Sequence, residues 1–398
     1  MSDVRRRGRA RGRMLAAGAA LALAVSLAPL PADAGGGADA GNHRSDHGSR
    51  QRLGRVVSTE AMPRERWLPN AGNAYRVEYV STGFDGSRTV VSGAVYLPKG
   101  NPPKGGWRVI SWAHGTVGSA DVCAPSIRGA SERDRVFLGA WLAKGYVIVA
   151  SDYEGLGTPG PHPYTHGKSE AYGVVDMVRA ARSLDKRLSR SWMVVGHSQG
   201  GQAALFTGAM ASEYAPELDF RGTISSAPLS RIRMNAEGLG FLNPESPAFA
   251  YIPGVVGAHE TIYGDDFNVS DLVTPKGALV YLKGQEVSCL ADTVAEMKGL
   301  KMKDILDMDK AKLDDFLDKW AAYGDTPLQK YDRPVLIGQG TADPDVFPKA
   351  SAATAEGLKE SGSDVTLLLF EGEDHSGPLW KGVNQFLDFA DTQFSGRG

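Results

Sequence analysis

This sequence has no strong excess of positive or of negative charge. Its 398 residues include 44 Lys and Arg against 46 Asp and Glu, which gives a formal net charge of −2 at pH 7. Proteins that bind nucleic acids usually carry a strong basic excess, so this balance argues against such a partner. With 42% hydrophobic and 23% charged residues, the composition is ordinary for a globular protein. The length permits one large domain with insertions.

Long hydrophobic runs are also scarce, and the clearest one lies near the N-terminus. Six arginines between positions 5 and 13 precede the apolar run 14–30, and Ala32-Asp33-Ala34 follows it. This order is typical of a secretory signal peptide. We therefore predict a signal peptide over 1–34 and a secreted, extracellular protein, with a retained N-terminal anchor as the alternative. The polar, Gly-rich stretch 35–55 predicts a flexible N-terminus of the mature chain.

Cysteine is rarer still, because the chain contains Cys123 and Cys289 and no others. In an exported protein, two cysteines are more often paired than free. We therefore predict a disulfide between them, and two buried thiols are the alternative. A bridge that closes so long a loop adds about 4–5 kcal/mol of stability on the chain-entropy model.

From about residue 74 onward, short apolar strands alternate with helical patterns. The strands are predicted at Tyr75–Ser81, Thr89–Leu97, Trp107–Ala113, Tyr146–Ser151, Trp192–Val195, Phe220–Ser225, Pro334–Gly338 and Val365–Phe370. The helices are predicted at 131–144, 169–184, 199–214, 348–360 and 379–391. The first two strands flank a turn and predict an antiparallel hairpin at one edge. The alternation predicts an α/β fold over 56–398, with a mostly parallel central sheet and helices on both faces.

Two of the predicted helices carry a clear apolar face. The face of the first comprises Val136, Phe137, Ala140, Trp141 and Leu142. The face of the second comprises Ala171, Val174, Val175, Val178 and Ala181. Both follow the spacing of an amphipathic helix, so we expect these residues to be buried.

An interruption of the strand–helix pattern runs from about 229 to 330. It is too long for a plain loop in a compact domain. Two apolar stripes at helical spacing lie within it, formed by Met302, Ile305 and Leu306 and by Leu313, Phe316, Leu317 and Trp320. We predict a helical cap whose apolar stripes face the substrate. A peripheral helical insertion that only covers the surface is the alternative.

A serine stands between a predicted strand and a predicted helix, in Gly196-His197-Ser198-Gln199-Gly200. The Gly-x-Ser-x-Gly pattern alone is weak evidence, but this junction holds a serine hydroxyl on a tight turn above a sheet. The start of a helix also directs backbone N–H groups at the same place. We predict that Ser198 is a nucleophile and that the N–H of Gln199 donates to an oxyanion.

A serine needs a base, and the base needs an acid to orient it. In this architecture the acid precedes the base in the chain. His375 follows the last predicted strand, and we predict that it is the base. Asp343 follows the strand before and is the predicted acid, with Asp345 as the reserve candidate.

The second oxyanion donor is expected in the loop after the third strand. That loop contains His114-Gly115-Thr116, and we predict that Thr116 donates its N–H. The mechanism that follows passes through an acyl-enzyme and requires neither a metal ion nor an organic cofactor.

These residues resemble a known family. The chain resembles the α/β-hydrolases, and within them the secretory lipase family of exported lipases and esterases, from about residue 55 to the C-terminus. The resemblance rests on His114-Gly115-Thr116, on the stretch 152–164 and on the serine motif 196–200. It implies hydrolysis of esters or triacylglycerols and a helical cap after the sixth strand. By position, it assigns the triad to Ser198, Asp343 and His375.

The leading hypothesis is therefore a secreted serine hydrolase that cleaves small-molecule or lipid carboxylic esters. A peptidase or acyltransferase that uses the same triad is one alternative. A non-catalytic binding protein on a hydrolase scaffold is another. The cap is expected to make transient contact with a lipid interface, and the oligomeric state is left open.

Overall fold

The computed structural model describes residues 52–396. The predicted signal peptide and most of the predicted flexible N-terminus lie outside these residues. Within them, the first few residues are held against the sheet. The N–H of Gly54 donates to the carbonyl of Val80 at 2.8 Å, and the N–H of Val80 donates to the carbonyl of Arg55 at 2.9 Å.

A nine-stranded sheet forms the centre of the described chain, in the order β1-β2-β3-β5-β4-β6-β7-β8-β9. The strands are β1 (Val56–Ala61), β2 (Ala71–Thr82), β3 (Arg88–Pro98), β4 (Trp107–Ala113), β5 (Val147–Ser151), β6 (Leu188–His197), β7 (Asp219–Ser226), β8 (Val335–Gly340) and β9 (Val365–Phe370). The strands from β5 to β9 in this order pair in parallel. The pairings among β1, β2, β3 and β5 are antiparallel.

This sheet confirms the predicted α/β fold, with its antiparallel hairpin at one edge. Strands β4 and β8 are buried at nearly every position, as expected for parallel strands covered on both faces. Strand β1 was not among the strands predicted from the sequence. That strand lies at the edge and is mostly exposed, so it lacks the apolar signal that marked the others.

Helices cover both faces of the sheet. Outside the predicted cap they are α1 (Pro125–Arg128), α2 (Glu132–Ala143), α3 (Gly167–Leu184), α4 (Gln199–Tyr214), α12 (Pro348–Glu360), α13 (Gly377–Lys381) and α14 (Val383–Ser395). The predicted apolar face of α3 is buried throughout. None of the helices within 52–396 is long and apolar enough to cross a membrane.

Two details of the helix predictions were wrong. Val136 is 47% exposed, because the buried positions of α2 follow Phe137, Trp141 and Leu142, and Val136 is out of phase with them. The single helix predicted over 379–391 is two helices that meet at Gly382. A Cβ at Gly382 would lie 2.5 Å from the carbonyl oxygen of Pro378, so the chain bends where no side chain fits.

The segment between β7 and β8, called the insertion below, contains seven helices. They are α5 (Ile232–Gly238), α6 (Ile252–Tyr263), α7 (Val269–Leu272), α8 (Pro275–Glu286), α9 (Leu290–Glu296), α10 (Met302–Ile305) and α11 (Lys310–Gly324). Its two apolar stripes pack into one buried cluster within the insertion. Burying these side chains against one another stabilises helices that are too short to be stable alone.

A disulfide joins the insertion to the loop that follows β4. It links Cys123 to Cys289, whose Cα atoms are 5.5 Å apart. Close to it, the N–H of Leu290 donates to the carbonyl of Val117 at 2.9 Å. The two contacts hold the start of α9 beside the loop that contains the predicted oxyanion donor.

Replacing Cys123 and Cys289 together with alanine is expected to lower the free energy of unfolding by about 3–5 kcal/mol, because the loop closed by the bridge is long. Urea denaturation of the oxidised protein and the double variant measures this loss. The mass of the unreduced, alkylated protein serves as the control. Two alkylated thiols, or equal stabilities, would contradict the expectation.

Candidate active site

Ser198 occupies a strained backbone turn between the end of β6 and the start of α4. Its φ is 60° and its ψ is −120°, a conformation that residues other than glycine rarely adopt. The N–H of Ser198 donates to the carbonyl of Ser226 at 2.9 Å. The N–H of Gln202 donates to the carbonyl of Ser198 at 3.0 Å. These bonds hold the strained residue in place at the carboxyl end of the parallel strands.

The two glycines of the serine motif are required by close approach. A Cβ at Gly196 would lie 1.9 Å from the carbonyl oxygen of Gly200. A Cβ at Gly200 would lie 1.9 Å from the carbonyl oxygen of Ala113, at the end of β4. Any side chain at either position would push α4 away from the sheet and open the turn at Ser198.

The predicted acid and base meet at the same edge of the sheet. Nδ1 of His375 donates to Oδ2 of Asp343 at 2.8 Å, and both side chains are almost fully buried. Asp343 also accepts from the side chain of Gln339 and from the backbone N–H groups of Asp345 and Val346. The bond to Asp343 assigns the proton of a neutral His375 ring to Nδ1 and leaves Nε2 as an acceptor.

The position of His375 relative to the serine motif is given by its neighbour His197. The centroids of the two rings are 4.6 Å apart, and Ser198 follows His197 directly in the chain. Asp345, the reserve acid, is bonded elsewhere, because its Oδ1 accepts from the hydroxyl of Tyr251 at 2.9 Å. The structure therefore brings Asp343, rather than Asp345, into hydrogen-bond contact with His375.

Both predicted oxyanion donors lie close to Ser198. Gln199 is the first residue of α4. The loop that carries Thr116 passes so close that a Cβ at Gly115 would lie 3.5 Å from the Cβ of Ser198. The hydroxyl of Thr116 is within 2.7 Å of the hydroxyl of Tyr164. Thr116, Ser198 and Gln199 line one cavity.

This cavity, called the inner cavity below, is small and mostly apolar. Its volume is about 60 Å³. The apolar side chains on its wall include Leu229, Ile232, Leu239, Phe241, Phe249 and Trp320. Of the residues in the two predicted apolar stripes, Trp320 alone lines the inner cavity. The other stripe residues pack inside the insertion, so the prediction that both stripes face the substrate was wrong for them.

The family model of the secretory lipases matches residues 129–397, which is more than half of the chain. The chain belongs to the secretory lipase family. It is 27% identical to secreted triacylglycerol lipase LIP2 of Malassezia globosa over 239 residues, which are 58% of this chain and 51% of the relative. It is 26% identical to lipase A of Moesziomyces aphidis over 185 residues, 42% of this chain and 38% of the relative. The chain thus spans about half of the length of the first of these relatives and less than half of the second.

A longer match joins this chain to a probable inactive lipase of Mycobacterium tuberculosis. The two are 25% identical over 318 residues, which are 75% of this chain and 68% of the relative.

Solved structures share the fold. The ligand-bound form of the rice cell wall degrading esterase LipA from Xanthomonas oryzae superposes with a TM-score of 0.71 at 20% identity and covers 86% of this chain and 100% of its own. Candida antarctica lipase A in its closed state gives a TM-score of 0.67 at 19% identity and covers 83% of this chain and 79% of its own. The described chain therefore has the α/β-hydrolase fold.

Glu170 is a residue of the site that the sequence analysis missed. It lies in the first turn of α3 and is 1% exposed. Its Oε1 accepts from Nε2 of Gln199 at 2.7 Å and from the N–H of Thr165 at 2.9 Å, while Oε2 has no hydrogen-bond partner among residues 52–396. Burial raises the pKa of Glu170 to about 8. The signal in the sequence was its position: Glu170 directly precedes Ala171, the first residue of the predicted apolar face of α3, where burial was expected.

The structure also explains the stretch 152–164, for which sequence reasoning had no physical account. Asp152 is buried and accepts from the hydroxyl of Ser92 and the N–H of Ser126. Tyr153 has a φ of 73°, and its hydroxyl donates to the carbonyl of His114 at 2.9 Å. Burial lowers the pKa of His162 to about 4, so this histidine is neutral at pH 7. Most of the stretch is buried, apart from 159–161, and its Tyr153 supports the loop beside Ser198.

The variant Glu170→Gln tests the buried acid. A folded-state pKa of about 8, raised from the ordinary value of 4.5, means that the unfolded chain releases this proton first as the pH rises. The stability of the wild type should therefore fall between pH 5 and pH 8 by roughly 2–4 kcal/mol more than that of Glu170→Gln. Urea denaturation at both pH values measures the difference, and a difference that stays constant with pH would contradict it.

Proposed function

We propose that this protein is a secreted serine hydrolase that cleaves carboxylic esters, with Ser198 as nucleophile, His375 as base and Asp343 as acid. The observation that carries the proposal is the hydrogen bond from His375 to the buried Asp343, at the sheet edge where Ser198 holds its strained turn. Membership of the secretory lipase family supports ester hydrolysis, and the triacylglycerol lipases named among the relatives support a lipid or small-molecule ester.

In the proposed reaction, Nε2 of His375 accepts the proton of the Ser198 hydroxyl as its oxygen attacks the ester carbonyl. The backbone N–H groups of Thr116 and Gln199 stabilise the oxyanion, each by about 3–4 kcal/mol. His375 then donates the proton to the leaving alcohol. Water hydrolyses the acyl-enzyme with the same base. Asp343 holds the imidazole ring in its tautomer and stabilises the imidazolium.

An apolar wall supports an acyl ester over a peptide as the substrate. The inner cavity offers side chains such as Leu239, Phe241 and Trp320, and Asp345 is the one carboxylate among the described residues that line it. A peptidase is therefore the weaker alternative. One relative is named a probable inactive lipase, so a non-catalytic binding protein is the competing hypothesis. The activity assay below distinguishes the hydrolase from the binding protein.

Export and contact with lipid are further parts of the proposal. A disulfide supports an oxidising destination, and relatives are named secreted lipases. On the insertion, four aliphatic side chains are more than half exposed: Leu279, Leu282, Val287 and Val294. Their position on and around α8 and α9 supports transient contact between the insertion and a lipid interface.

The replacement Ser198→Ala is expected to abolish hydrolysis of nitrophenyl esters and labelling by a fluorophosphonate. A wild type as inert as the variant, with no label, would favour the binding protein. Equal activity in both would exclude Ser198 as the nucleophile.

The replacement Asp343→Asn is expected to lower kcat by about 10³–10⁴-fold, because it removes the acid that sets the tautomer of the base. Asp345→Asn is the matched control, since this neighbouring carboxylate bonds to Tyr251 instead of His375. Steady-state kinetics on a soluble nitrophenyl ester measure both variants. A larger loss in Asp345→Asn would reverse the two assignments.

A further inference from the structure

Two side-chain hydroxyls near Ser198 form a pair that the proposed reaction leaves unused. Oγ1 of Thr116 lies 2.7 Å from the hydroxyl oxygen of Tyr164. Both residues line the inner cavity together with Ser198. Neither hydroxyl has another hydrogen-bond partner among residues 52–396. The two hydroxyls therefore depend on each other and on whatever occupies the cavity.

The protons of this pair leave one donor unused. Each hydroxyl carries one proton, and the hydrogen bond between the two oxygens uses only one of these protons. The other proton has no acceptor within the described part of the chain. Buried hydroxyls are usually paired, because an unpaired one costs free energy. One hydroxyl of the pair is thus available to donate to an oxygen atom of a ligand beside Ser198.

The charge that develops in the proposed reaction determines which hydroxyl this is. The hydroxyl of Thr116 lies close to the N–H of the same residue by covalent geometry, so both groups can donate to one oxyanion. A hydrogen bond to a charged oxygen is stronger than one between neutral groups, so the oxyanion attracts the proton of Thr116. Burial holds the pKa of Tyr164 above its usual range, so the phenol keeps its proton and can donate it to Oγ1.

The ring of Tyr164 is fixed by its surroundings. Tyr164 is 4% exposed and packs in the buried apolar cluster of the insertion. The backbone of α6 approaches the ring so closely that a Cβ at Gly254 would lie 2.9 Å from Cδ1 of Tyr164. The N–H of Tyr164 donates to the carbonyl of His162 at 2.8 Å. The insertion and the stretch 152–164 together therefore set the position of the phenol hydroxyl.

We propose that the hydroxyl of Thr116 is a third donor to the oxyanion, and that Tyr164 is a positioning residue that directs this hydroxyl at the reacting carbonyl. The inference rests on the proposed function. Neither hydroxyl gives up its proton in the reaction. Both donate hydrogen bonds while the oxyanion exists, and a chain of such bonds strengthens each member.

The variants Thr116→Val and Thr116→Ser test the donor. Thr116→Val removes the hydroxyl and keeps the backbone N–H. It is expected to lower kcat by about 10²-fold and to change KM by less than about twofold, because the lost bond forms in the transition state. Thr116→Ser keeps the hydroxyl and should retain kcat to within about threefold of the wild type. Steady-state kinetics on a soluble nitrophenyl ester measure both variants. An unchanged kcat in Thr116→Val, or an equal loss in the two variants, would overturn the third donor.

The variant Tyr164→Phe tests the positioning residue. It should lower kcat by about tenfold, because the hydroxyl of Thr116 remains but loses its orienting bond. In a protein that already carries Thr116→Val, the same change should cause no further loss, because no hydroxyl is left to orient. A further loss of about tenfold in the double variant would show that Tyr164 acts through the structure of the site, and would overturn the positioning role.

The matched control is Tyr263→Phe. It removes a hydroxyl of the insertion that donates to the carbonyl of Lys319 at 2.8 Å, outside the inner cavity. It should keep the kcat of the wild type, and a loss as large as that of Tyr164→Phe would overturn the positioning role. If Tyr164→Phe does not fold, the two variants of Thr116 still decide on the donor. Activity of Ser198→Ala equal to that of the wild type would overturn the proposed function instead.

Discussion

The backbone turn at Ser198 is the constraint on which the site depends. A positive φ at a serine is unfavourable, and it persists because β4, β6 and α4 approach one another at carbonyl contact. Gly196 and Gly200 make this approach possible, since neither leaves room for a side chain. The same approach brings the loop with Thr116 beside Ser198 and directs the start of α4 at the inner cavity.

Buried polar side chains next to the turn at Ser198 form hydrogen bonds with one another. The side chain of Gln199 cannot reach solvent, and Glu170 accepts its hydrogen bond. Burying a charged carboxylate here would be costly, and burial raises the pKa of Glu170 to about 8, so this group is mostly neutral at pH 7. The support for the proposed oxyanion donor is therefore a neutral hydrogen-bond partner rather than a fixed charge.

The insertion lines most of the inner cavity beside Ser198 without supplying any member of the proposed triad. Most of its apolar side chains form its own buried cluster. The part of the insertion that faces Ser198 is the small apolar wall of the inner cavity. The disulfide to Cys123 attaches it to the loop after β4, and the bond from Tyr251 to Asp345 attaches it to the loop after β8. Changes in the insertion should therefore act on substrate choice more than on the chemistry.

Apolar periodicity and glycine-marked turns are local signals, so the alternating strands and helices, and with them the α/β fold, could be predicted from the residues alone. Chain order also singled out Asp343 and His375, since both follow parallel strands whose carboxyl ends share one edge. The tertiary structure was needed to find the contacts between distant segments. It separated Asp343 from Asp345 by their hydrogen bonds, placed Glu170 under Gln199, and turned the apolar stripes of the insertion inward. A helical period shows that a face is apolar, but which neighbour covers that face depends on packing across the whole chain.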